Sequence, residues 1–174
     1  MSSAITLFSS SRRNGNTGTL INLVAHKIGM EVIDLDKANI SPFDYEHKNK
    51  GDDFLPLMEK VLTYDHIVFA SPVYWYAVSP AMKIFLDRLS DLLTFPDLLD
   101  MGRELRGKNG YIVSTSTHHE LSSTFLDAFV KTFDYLGMSY GGFLHMDCTE
   151  GFNFEKNQDE IVSFSNILQG RQDP

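Results

Sequence analysis

A short apolar run near the start of the chain ends in a cluster of polar residues suited to binding an anion. Ile5–Phe8 is typical of a strand, and Ser9–Asn16 then brings together hydroxyl groups, two arginines and two asparagines before a helical pattern begins at Thr17. The first turn of a helix has unpaired N–H groups and carries about half a positive charge. Amides, hydroxyls and an arginine can therefore converge on one phosphate at this point.

Two common phosphate-binding motifs are absent from this loop. A P-loop needs a lysine, and residues 9–17 contain none. A dinucleotide fingerprint needs three glycines, and only Gly15 and Gly18 are present. Two interpretations stay open, namely a hydroxyl-lined pocket for a phosphomonoester and a solvated turn of common turn-forming residues. In the pocket interpretation, the donors and the positive charge come from Ser9, Ser11, Arg12, Asn16 and Thr17.

Three consecutive aromatic residues, Tyr74, Trp75 and Tyr76, follow the apolar run His66–Ala70. Neighbouring side chains diverge, so the three rings cannot all enter one core. We expect at least one ring to be exposed, although packing in the core or at an interface is the alternative interpretation. Beside a phosphate loop, an exposed ring would form a wall for a flat ring system.

A third polar loop, Thr115–Glu120, follows the apolar run Gly110–Ser114 and contains two adjacent histidines. Adjacent histidines diverge and no helical His-x-x-x-His pair is present, so ligand contact or simple loop polarity is favoured over a metal site. The Gly-x-Ser-x-Gly motif of a hydrolase is also missing. We interpret Asp87 and Arg88 as an exposed or interfacial charge pair rather than as catalytic residues.

The segments that position these loops alternate between strand and helix patterns. Strand-like runs are Ile5–Phe8, Glu31–Leu35, His66–Ala70, Gly110–Ser114 and a strand within Met138–Met146. Helical patterns are Thr17–Ile28 closed by Gly29, Asp53–Thr63, a helix capped by Ser79 and starting at Pro80, Leu121–Leu136, and residues 155–168. Residues 36–52 are typical of a surface loop, and residues 94–109 of a mixed connection.

Two of the helices show a clear apolar stripe. The first stripe consists of Met82, Phe85, Leu86, Leu89 and Leu93, and the second of Phe125, Phe129, Val130, Phe133 and Leu136. The alternation of strands with such helices predicts an α/β fold with a parallel sheet covered on both faces. Ligands of these sheets bind beyond the carboxyl ends of the strands, where all three polar loops would meet.

The composition limits the possible classes of function. The 174 residues fit a single domain, 1–174, and a net charge of −8 argues against a general nucleic-acid-binding surface. Cys148 is the only cysteine, so an internal disulfide and a cysteine cluster are excluded, and we expect it to be buried. No apolar run has membrane-spanning length and no signal-peptide pattern is visible, so we expect a cytoplasmic protein without a membrane partner.

Three segments together carry a family resemblance. Ser9–Thr17, Ser71–Ser79 and Met82–Leu89 resemble the NAD(P)H-dependent FMN reductase family, whose members are flavodoxin-like flavoproteins, and the resemblance extends to about residue 146. It implies a three-layer doubly wound sandwich with a five-stranded parallel sheet in the order 2-1-3-4-5. It also implies FMN as cofactor, NADPH or NADH as electron donor, and a homodimer or homotetramer. The chain departs from some relatives because no glycine precedes its serines and a cluster-binding cysteine motif is missing.

The resemblance also implies a set of cofactor-binding residues. The FMN phosphate is assigned to Ser9, Ser11, Arg12, Asn14, Asn16 and Thr17. The ribityl chain and isoalloxazine ring are assigned to Pro72, Val73, Tyr74, Trp75 and Tyr76. A looser match places Thr115, Ser116, Thr117 and His118 near the ring. No catalytic side chain and no metal ligand are expected, because a flavin carries the chemistry itself.

The implied activity is oxidoreduction, in which hydride from NAD(P)H passes through FMN to a small acceptor such as a quinone or a flavin. A flavodoxin-type electron carrier without nicotinamide activity is the first alternative, and a module on this fold that has lost its flavin is the second. Residues 147–174 are the least constrained by the sequence. Phe152 and Phe154 are open to two interpretations, packing on a partner subunit or covering the flavin.

Overall fold

Five strands form one parallel sheet in a computed structural model that describes residues 3–170. The strands are β1 (Ala4–Phe8), β2 (Glu31–Asp34), β3 (His66–Ala70), β4 (Asn109–Ser116) and β5 (Ser139–Asp147). Every neighbouring pair is parallel, and the order is β2-β1-β3-β4-β5. This confirms the predicted flavodoxin-like topology.

Seven α-helices connect or follow these strands in the described part of the chain. They are α1 (Asn16–Ile28), α2 (Phe54–Val61), α3 (Pro80–Arg88), α4 (Asp91–Thr94), α5 (Leu99–Glu104), α6 (Ser123–Leu136) and α7 (Phe154–Leu168). Helices α1 and α7 pack on one face of the sheet, and α2, α3 and α6 pack on the other. The result is the predicted three-layer sandwich.

Strand β3 shows why both faces of the sheet are covered. Ile67 and Phe69 belong to the core on one side, and Val68 and Ala70 belong to the core on the other. Side chains alternate between the faces of a strand, so a run that is apolar at every position requires a helix layer on each side. The end of helix α1 also agrees with the sequence-based prediction, since Gly29 closes it with a φ of 71°.

The apolar stripe predicted from Met82 to Leu93 is wrong at its last residue. Helix α3 ends at Arg88, and α4 begins only at Asp91, after a turn. This break changes the helical phase, so that Leu92 is buried and Leu93 is exposed. Residues 94–109 also contain more regular structure than predicted, because α5 lies within them.

The prediction of an exposed or interfacial pair between Asp87 and Arg88 is also wrong. Arg88 is 0 % exposed, and its Nε donates to Asp91 Oδ2 at 2.8 Å. Its Nη1 donates to the Ser41 carbonyl at 2.9 Å and to the Asp52 carboxylate. These acceptors compensate the charge that burial would otherwise penalise. Arg88 thereby fastens the loop before α2 to helices α3 and α4.

The last part of the described chain completes the core on the α1 side. Ile161, Phe164 and Leu168 of α7 pack there with Cys148, which is buried as predicted. Phe152 packs against the same core, whereas Phe154 is exposed at the start of α7. No helix among residues 3–170 has the length and apolar character needed to cross a bilayer.

Candidate functional site

The three polar loops meet at the carboxyl edge of the sheet and enclose a cleft of about 310 Å³. The loops follow β1, β3 and β4, in the arrangement that the sequence predicts. The cleft is lined by Ser10, Arg12, Gly15, Asn16, Thr17, Pro72, Val73, Tyr74, Trp75, Tyr76, Thr115, Ser116, Thr117 and His118.

The loop after β1 lies directly on the first turn of α1. A Cβ atom added to Gly18 would lie 1.7 Å from the backbone oxygen of Arg13, so only glycine permits this close approach. The first amides of a helix have no intrahelical acceptor. Because Asn16 and Thr17 line the cleft at the start of α1, this end of the cleft is suited to an anion.

The two arginines of this loop have different surroundings. Arg13 donates to Asp34 at the end of β2, with a distance of 2.6 Å from Nη1 to Oδ2. Arg12 lines the cleft and forms no ion pair with any carboxylate of residues 3–170. The loop is further fixed by the Ser10 amide, which donates to Asp36 Oδ2 at 2.9 Å. Arg12 is therefore the cation available to a ligand.

Buried hydroxyl groups hold the first two loops together. The Ser79 hydroxyl lies 2.7 Å from the hydroxyl of Ser9, and the Ser79 amide donates to Ser71 Oγ at 2.9 Å. Ser79 precedes α3 as predicted, but its side chain makes no capping hydrogen bond to the helix. Ser9 is 0 % exposed and lies behind the cleft. Its hydroxyl therefore supports the loop and does not line the cleft.

Two more contacts complete the connection between the loops. The hydroxyls of Thr17 and Thr115 lie 2.7 Å apart in a buried position, which joins the start of α1 to the end of β4. The Ser11 amide donates to the Tyr74 hydroxyl at 3.2 Å. The cleft is therefore assembled by hydrogen bonds of the chain itself, and its shape is largely set before a ligand arrives.

Tyr74 is the most firmly held of the three aromatic residues. Burial raises the pKa of its phenol, but hydrogen bonds from Ser11 and Ser10 and the charge of Arg12 outweigh this effect, so the pKa lies below its usual value. The phenol of Tyr74 thus links the aromatic loop after β3 to the polar loop after β1.

The next two aromatic residues form a strained turn. The Tyr74 amide donates to the Ala77 carbonyl at 2.9 Å and the Ala77 amide donates back at 3.0 Å, which closes a two-residue hairpin. Trp75 and Tyr76 have φ values of 48° and 64°. Such turns normally use Asn-Gly, and each other residue in this region costs about 1–2 kcal/mol. The turn leaves Trp75 93 % exposed at the cleft.

His145 on β5 supports the third loop from behind. Its Nδ1 lies 2.9 Å from Ser114 Oγ, and its Nε2 lies 3.1 Å from the His118 carbonyl oxygen. Because a carbonyl only accepts, Nε2 carries the proton in the neutral ring. Burial lowers the pKa of His145, so the ring is neutral at neutral pH. This residue was not predicted, because its only signal in the sequence is a histidine near the end of the last strand.

Most of the predicted site residues lie together, but three do not line the cleft. Ser9 is buried behind it, Ser11 contributes an amide to Tyr74, and Asn14 is exposed in the same loop. Two lining residues, Ser10 and Gly15, were not predicted. The sequence could have indicated Ser10. It lies between Ser9 and Ser11, and the hydroxyls of three consecutive serines cannot all point in the same direction.

The charge of the cleft contrasts with that of the protein. None of the described residues that line the cleft is Asp or Glu, although the net charge of the chain is −8. Nor does any group of three or more His, Cys, Asp or Glu side chains within residues 3–170 have an arrangement that could hold a metal ion. The cleft offers a cation and hydroxyls from the loop after β1 and aromatic rings from the loop after β3, which fits a mononucleotide with a flat ring such as FMN.

Comparisons with known proteins agree with this chemistry. The chain is 28 % identical over 141 residues to YwqN of Bacillus subtilis strain 168, named as an NAD(P)H-dependent FMN-containing oxidoreductase, with coverage of 76 % of this chain and 78 % of the relative. The fold resembles that of a Trp repressor binding protein from Bacillus subtilis, with a TM-score of 0.72, 22 % identity, and coverage of 98 % and 99 %.

A second solved structure carries the cofactor expected for this cleft. An FMN-dependent NADH-azoreductase from Bacillus anthracis, in complex with FMN, matches with a TM-score of 0.67, 10 % identity, and coverage of 97 % of this chain and 98 % of that one. The sequence profile of the NADPH-dependent FMN reductase family matches residues 3–142. The chain therefore belongs to this family and is an NAD(P)H-dependent oxidoreductase with FMN as its cofactor.

Proposed function

We propose that this enzyme passes two electrons from NAD(P)H, through FMN bound in the cleft, to a small organic acceptor such as a quinone. The observation that carries this proposal is the composition of the cleft, which combines anion-binding groups with aromatic rings and contains no carboxylate among its described lining residues. A cleft without carboxylates suits the negatively charged nicotinamide donor, because carboxylates would repel it.

The phosphate of FMN is assigned to the end of the cleft at α1. Arg12 supplies the charge, Ser10 and Thr17 supply hydroxyls, and the first-turn amides of α1 supply donors. Ser9 and Ser11 act indirectly, through the bonds that fix the loop to Ser79 and Tyr74.

The ribityl chain and the ring are assigned to the other two loops. Pro72–Tyr76 and Thr115–His118 line this part of the cleft, and the Val73 amide donates to the Thr115 carbonyl at 3.1 Å, so the two loops are neighbours. When bound, FMN would supply the redox chemistry of hydride and electron transfer. The chain's own contribution is to orient the ring and to place backbone amides of these loops where negative charge develops. Neutral His145 keeps the 115–118 loop in position for this purpose.

A homodimer or homotetramer in the cytoplasm remains a prediction of the sequence. A flavodoxin-type carrier is the alternative on the same fold. It shares the cofactor and the cleft but lacks the nicotinamide dependence of the family to which this chain belongs.

Anaerobic reduction tests the proposal directly. We expect the purified protein, loaded with FMN, to be yellow, to bleach on addition of NADPH or NADH, and to regain its colour when a quinone such as menadione is added. Visible absorption follows each step. A protein that stays yellow with both donors would instead be an electron carrier, and one that cannot be loaded with FMN would contradict both functions.

The two adjacent arginines provide a test of the phosphate assignment. We expect Arg12→Ala to weaken FMN binding about tenfold, because a charge-assisted hydrogen bond contributes about 1.5–3 kcal/mol, and to leave riboflavin binding unchanged. Arg13→Ala is the matched control, since Arg13 is already paired with Asp34. Quenching of flavin fluorescence measures both affinities. Equal FMN affinities in the two variants would show that Arg12 does not contact the phosphate.

A further inference from the structure

The backbone carbonyls of the loop after β4 all lie within hydrogen-bond distance of donors from other parts of the chain. For Thr115–His118, in chain order, these donors are the Val73 amide at 3.1 Å, the Cys148 amide at 2.8 Å, the Thr149 hydroxyl at 3.0 Å and Nε2 of His145 at 3.1 Å. The last three belong to β5 and the two residues after it, and none of them lines the cleft. The loop thus turns its acceptors toward β5.

The direction of these carbonyls determines the direction of the amides that follow them. No peptide bond within residues 3–170 is cis, and in a planar trans peptide the N–H points opposite to the C=O. Because the Ser116 carbonyl points to Cys148, the Thr117 amide points away from β5, to the side of β4 on which the cleft lies. This amide has no acceptor among residues 3–170. The loop therefore offers the cleft a donor and withholds its acceptors.

His145 is the side chain that secures the end of this loop. Its Nε2 lies 3.1 Å from the His118 carbonyl oxygen and 3.2 Å from the Ser116 hydroxyl. On the other side of the ring, the fully buried Ser114 hydroxyl lies 2.9 Å from Nδ1. A ring nitrogen that accepts a hydrogen bond leaves the proton on the other nitrogen, so Ser114 keeps Nε2 as the donor. Without that donor, the His118 carbonyl would be free to turn toward the cleft.

The Thr149 hydroxyl is a weaker anchor than the imidazole. It lies 2.6 Å from Asp147 Oδ1 as well as 3.0 Å from the Thr117 carbonyl oxygen, so its single proton is shared between two acceptors. A hydrogen bond to a charged acceptor is the stronger one, so the carboxylate takes the larger share. His145 is therefore the side chain on which the position of the loop depends most.

A loop held in this way distinguishes between the oxidation states of a flavin. Two electrons and one proton added to an oxidised flavin ring leave one negative charge on it. Fixed N–H donors stabilise a charge that develops in a site, whereas a carbonyl oxygen turned toward the charge opposes it. The affinity for reduced FMN should therefore depend more strongly on the direction of this loop than the affinity for oxidised FMN.

We propose that His145 is a positioning residue that raises the reduction potential of the bound FMN by holding the His118 carbonyl away from the cleft. Ser114 assists it, since its buried hydroxyl keeps the donor proton on Nε2. This inference rests on the placement of the flavin ring beside residues 115–118 that is proposed above. It extends that proposal from where the cofactor binds to how readily the cofactor accepts electrons.

Three variants separate the hydrogen bond from the bulk of the ring. His145→Phe keeps a ring without nitrogens, His145→Gln keeps an amide that can donate to the His118 carbonyl, and Ser114→Ala removes only the hydroxyl beside Nδ1. His66→Phe is the matched control. His66 is a partly buried histidine at the first position of β3, at the opposite edge of the sheet from the cleft, and its Nδ1 has no hydrogen-bond partner in the described chain.

The reduction potential of the FMN-loaded protein is measured at neutral pH by titration with dithionite beside a reference dye, and the affinity for oxidised FMN by fluorescence quenching. We expect His145→Phe to bind oxidised FMN about threefold and reduced FMN about 30-fold more weakly, because a donor contributes more to a charged acceptor than to a neutral one. The tenfold difference between the two losses corresponds to a fall of about 30 mV for a two-electron couple.

The other variants test the cause of this shift. In His145→Gln the ratio of the two affinities should stay within about threefold of the wild-type ratio, because a neutral hydrogen bond replaces another. Ser114→Ala should lie between His145→Gln and His145→Phe, and His66→Phe should match the wild type. Nitrogen NMR should show the proton of neutral His145 on Nε2 in the wild type and on both nitrogens in Ser114→Ala.

Other results would overturn the inference in distinguishable ways. Equal losses of affinity for oxidised and reduced FMN in His145→Phe would mean that the ring only supports the fold of the loop. A shift in His145→Gln as large as that in His145→Phe would mean that the hydrogen bond has no part in the effect. Should His145→Phe fail to fold, an unshifted potential in Ser114→Ala, or a proton on Nδ1 in the wild type, contradicts the inference by itself.

Failure of the proposed function gives a different result, because dithionite reduces the bound FMN without a nicotinamide donor. A protein whose FMN is reduced by dithionite and not by NADPH or NADH would lack the proposed reductase activity, and the potentials of its variants would still decide the role of His145. A protein that cannot be loaded with FMN would overturn both proposals.

Discussion

Replacing Gly18 with alanine is expected to weaken FMN binding about 100-fold. The new Cβ would lie 1.7 Å from the Arg13 carbonyl oxygen, so the loop that carries Arg12 must move away from α1. Forcing extra atoms into a packed site costs about 1–3 kcal/mol, and 2.7 kcal/mol corresponds to about 100-fold in affinity. Alanine is otherwise the better helix former, so a loss cannot come from helix propensity.

Substitutions at two other glycines serve as controls for Gly18→Ala. Gly51→Ala should have no effect on FMN binding, because a Cβ there has nothing within 4 Å. Gly15→Ala should be intermediate, since its Cβ would lie 3.1 Å from the Arg12 carbonyl oxygen. Titrations with FMN and riboflavin measure the effect, and only FMN should lose affinity in Gly18→Ala. An FMN affinity within twofold of the wild type would contradict the assignment of the phosphate to this loop.

Replacing Arg88 with methionine is expected to give the largest loss of stability, about 3–5 kcal/mol. The variant leaves the carboxylates of Asp52 and Asp91 buried without the guanidinium that neutralises them. It also removes the cation that lies 4.6 Å from the centre of the Phe54 ring. For a domain of this size the expected fall in Tm is about 10 °C.

A matched control lies on the same helix. Lys83 pairs with Asp87 on the exposed face of α3, and such pairs contribute at most about 1 kcal/mol. Thermal and urea unfolding of Lys83→Met and Arg88→Met should therefore differ severalfold in the free energy lost. Similar losses in the two variants would show that the buried ion pairs of Arg88 do not stabilise the fold.

The features that could be predicted depend on residues that are close together in the sequence. The features that were missed depend on contacts between residues that are far apart in the sequence. The strands were predictable because an apolar run such as His66–Ala70 is itself the signal for a strand buried on both faces. The cleft was predictable because carboxyl ends of parallel strands meet at one edge, so polar loops that follow different strands become neighbours. The strand order came from the family resemblance and not from the residues themselves.

The missed features depend on contacts between distant parts of the chain. The acceptors that allow Arg88 to be buried include Ser41 and Asp52, which are 47 and 36 residues away from it. The serine cluster is similar, because the hydroxyl of Ser79 is directed to Ser9 and not to its own helix. His145 supports a loop that precedes it by 27 residues. Local patterns carry no information on such partners.

The contrast between the acidic protein and its acid-free cleft has a consequence for the rate at which the donor arrives. A chain with a net charge of −8 repels an anionic dinucleotide at long range, and Arg12 and the amides of α1 do not offset this repulsion because they are assigned to the FMN phosphate. Salt screens the repulsion, since the Debye length falls from about 30 Å at 0.01 M to about 10 Å at 0.1 M. Encounter with NADPH should therefore be faster at physiological ionic strength than in dilute buffer, the opposite of the behaviour of enzymes that steer their substrates electrostatically.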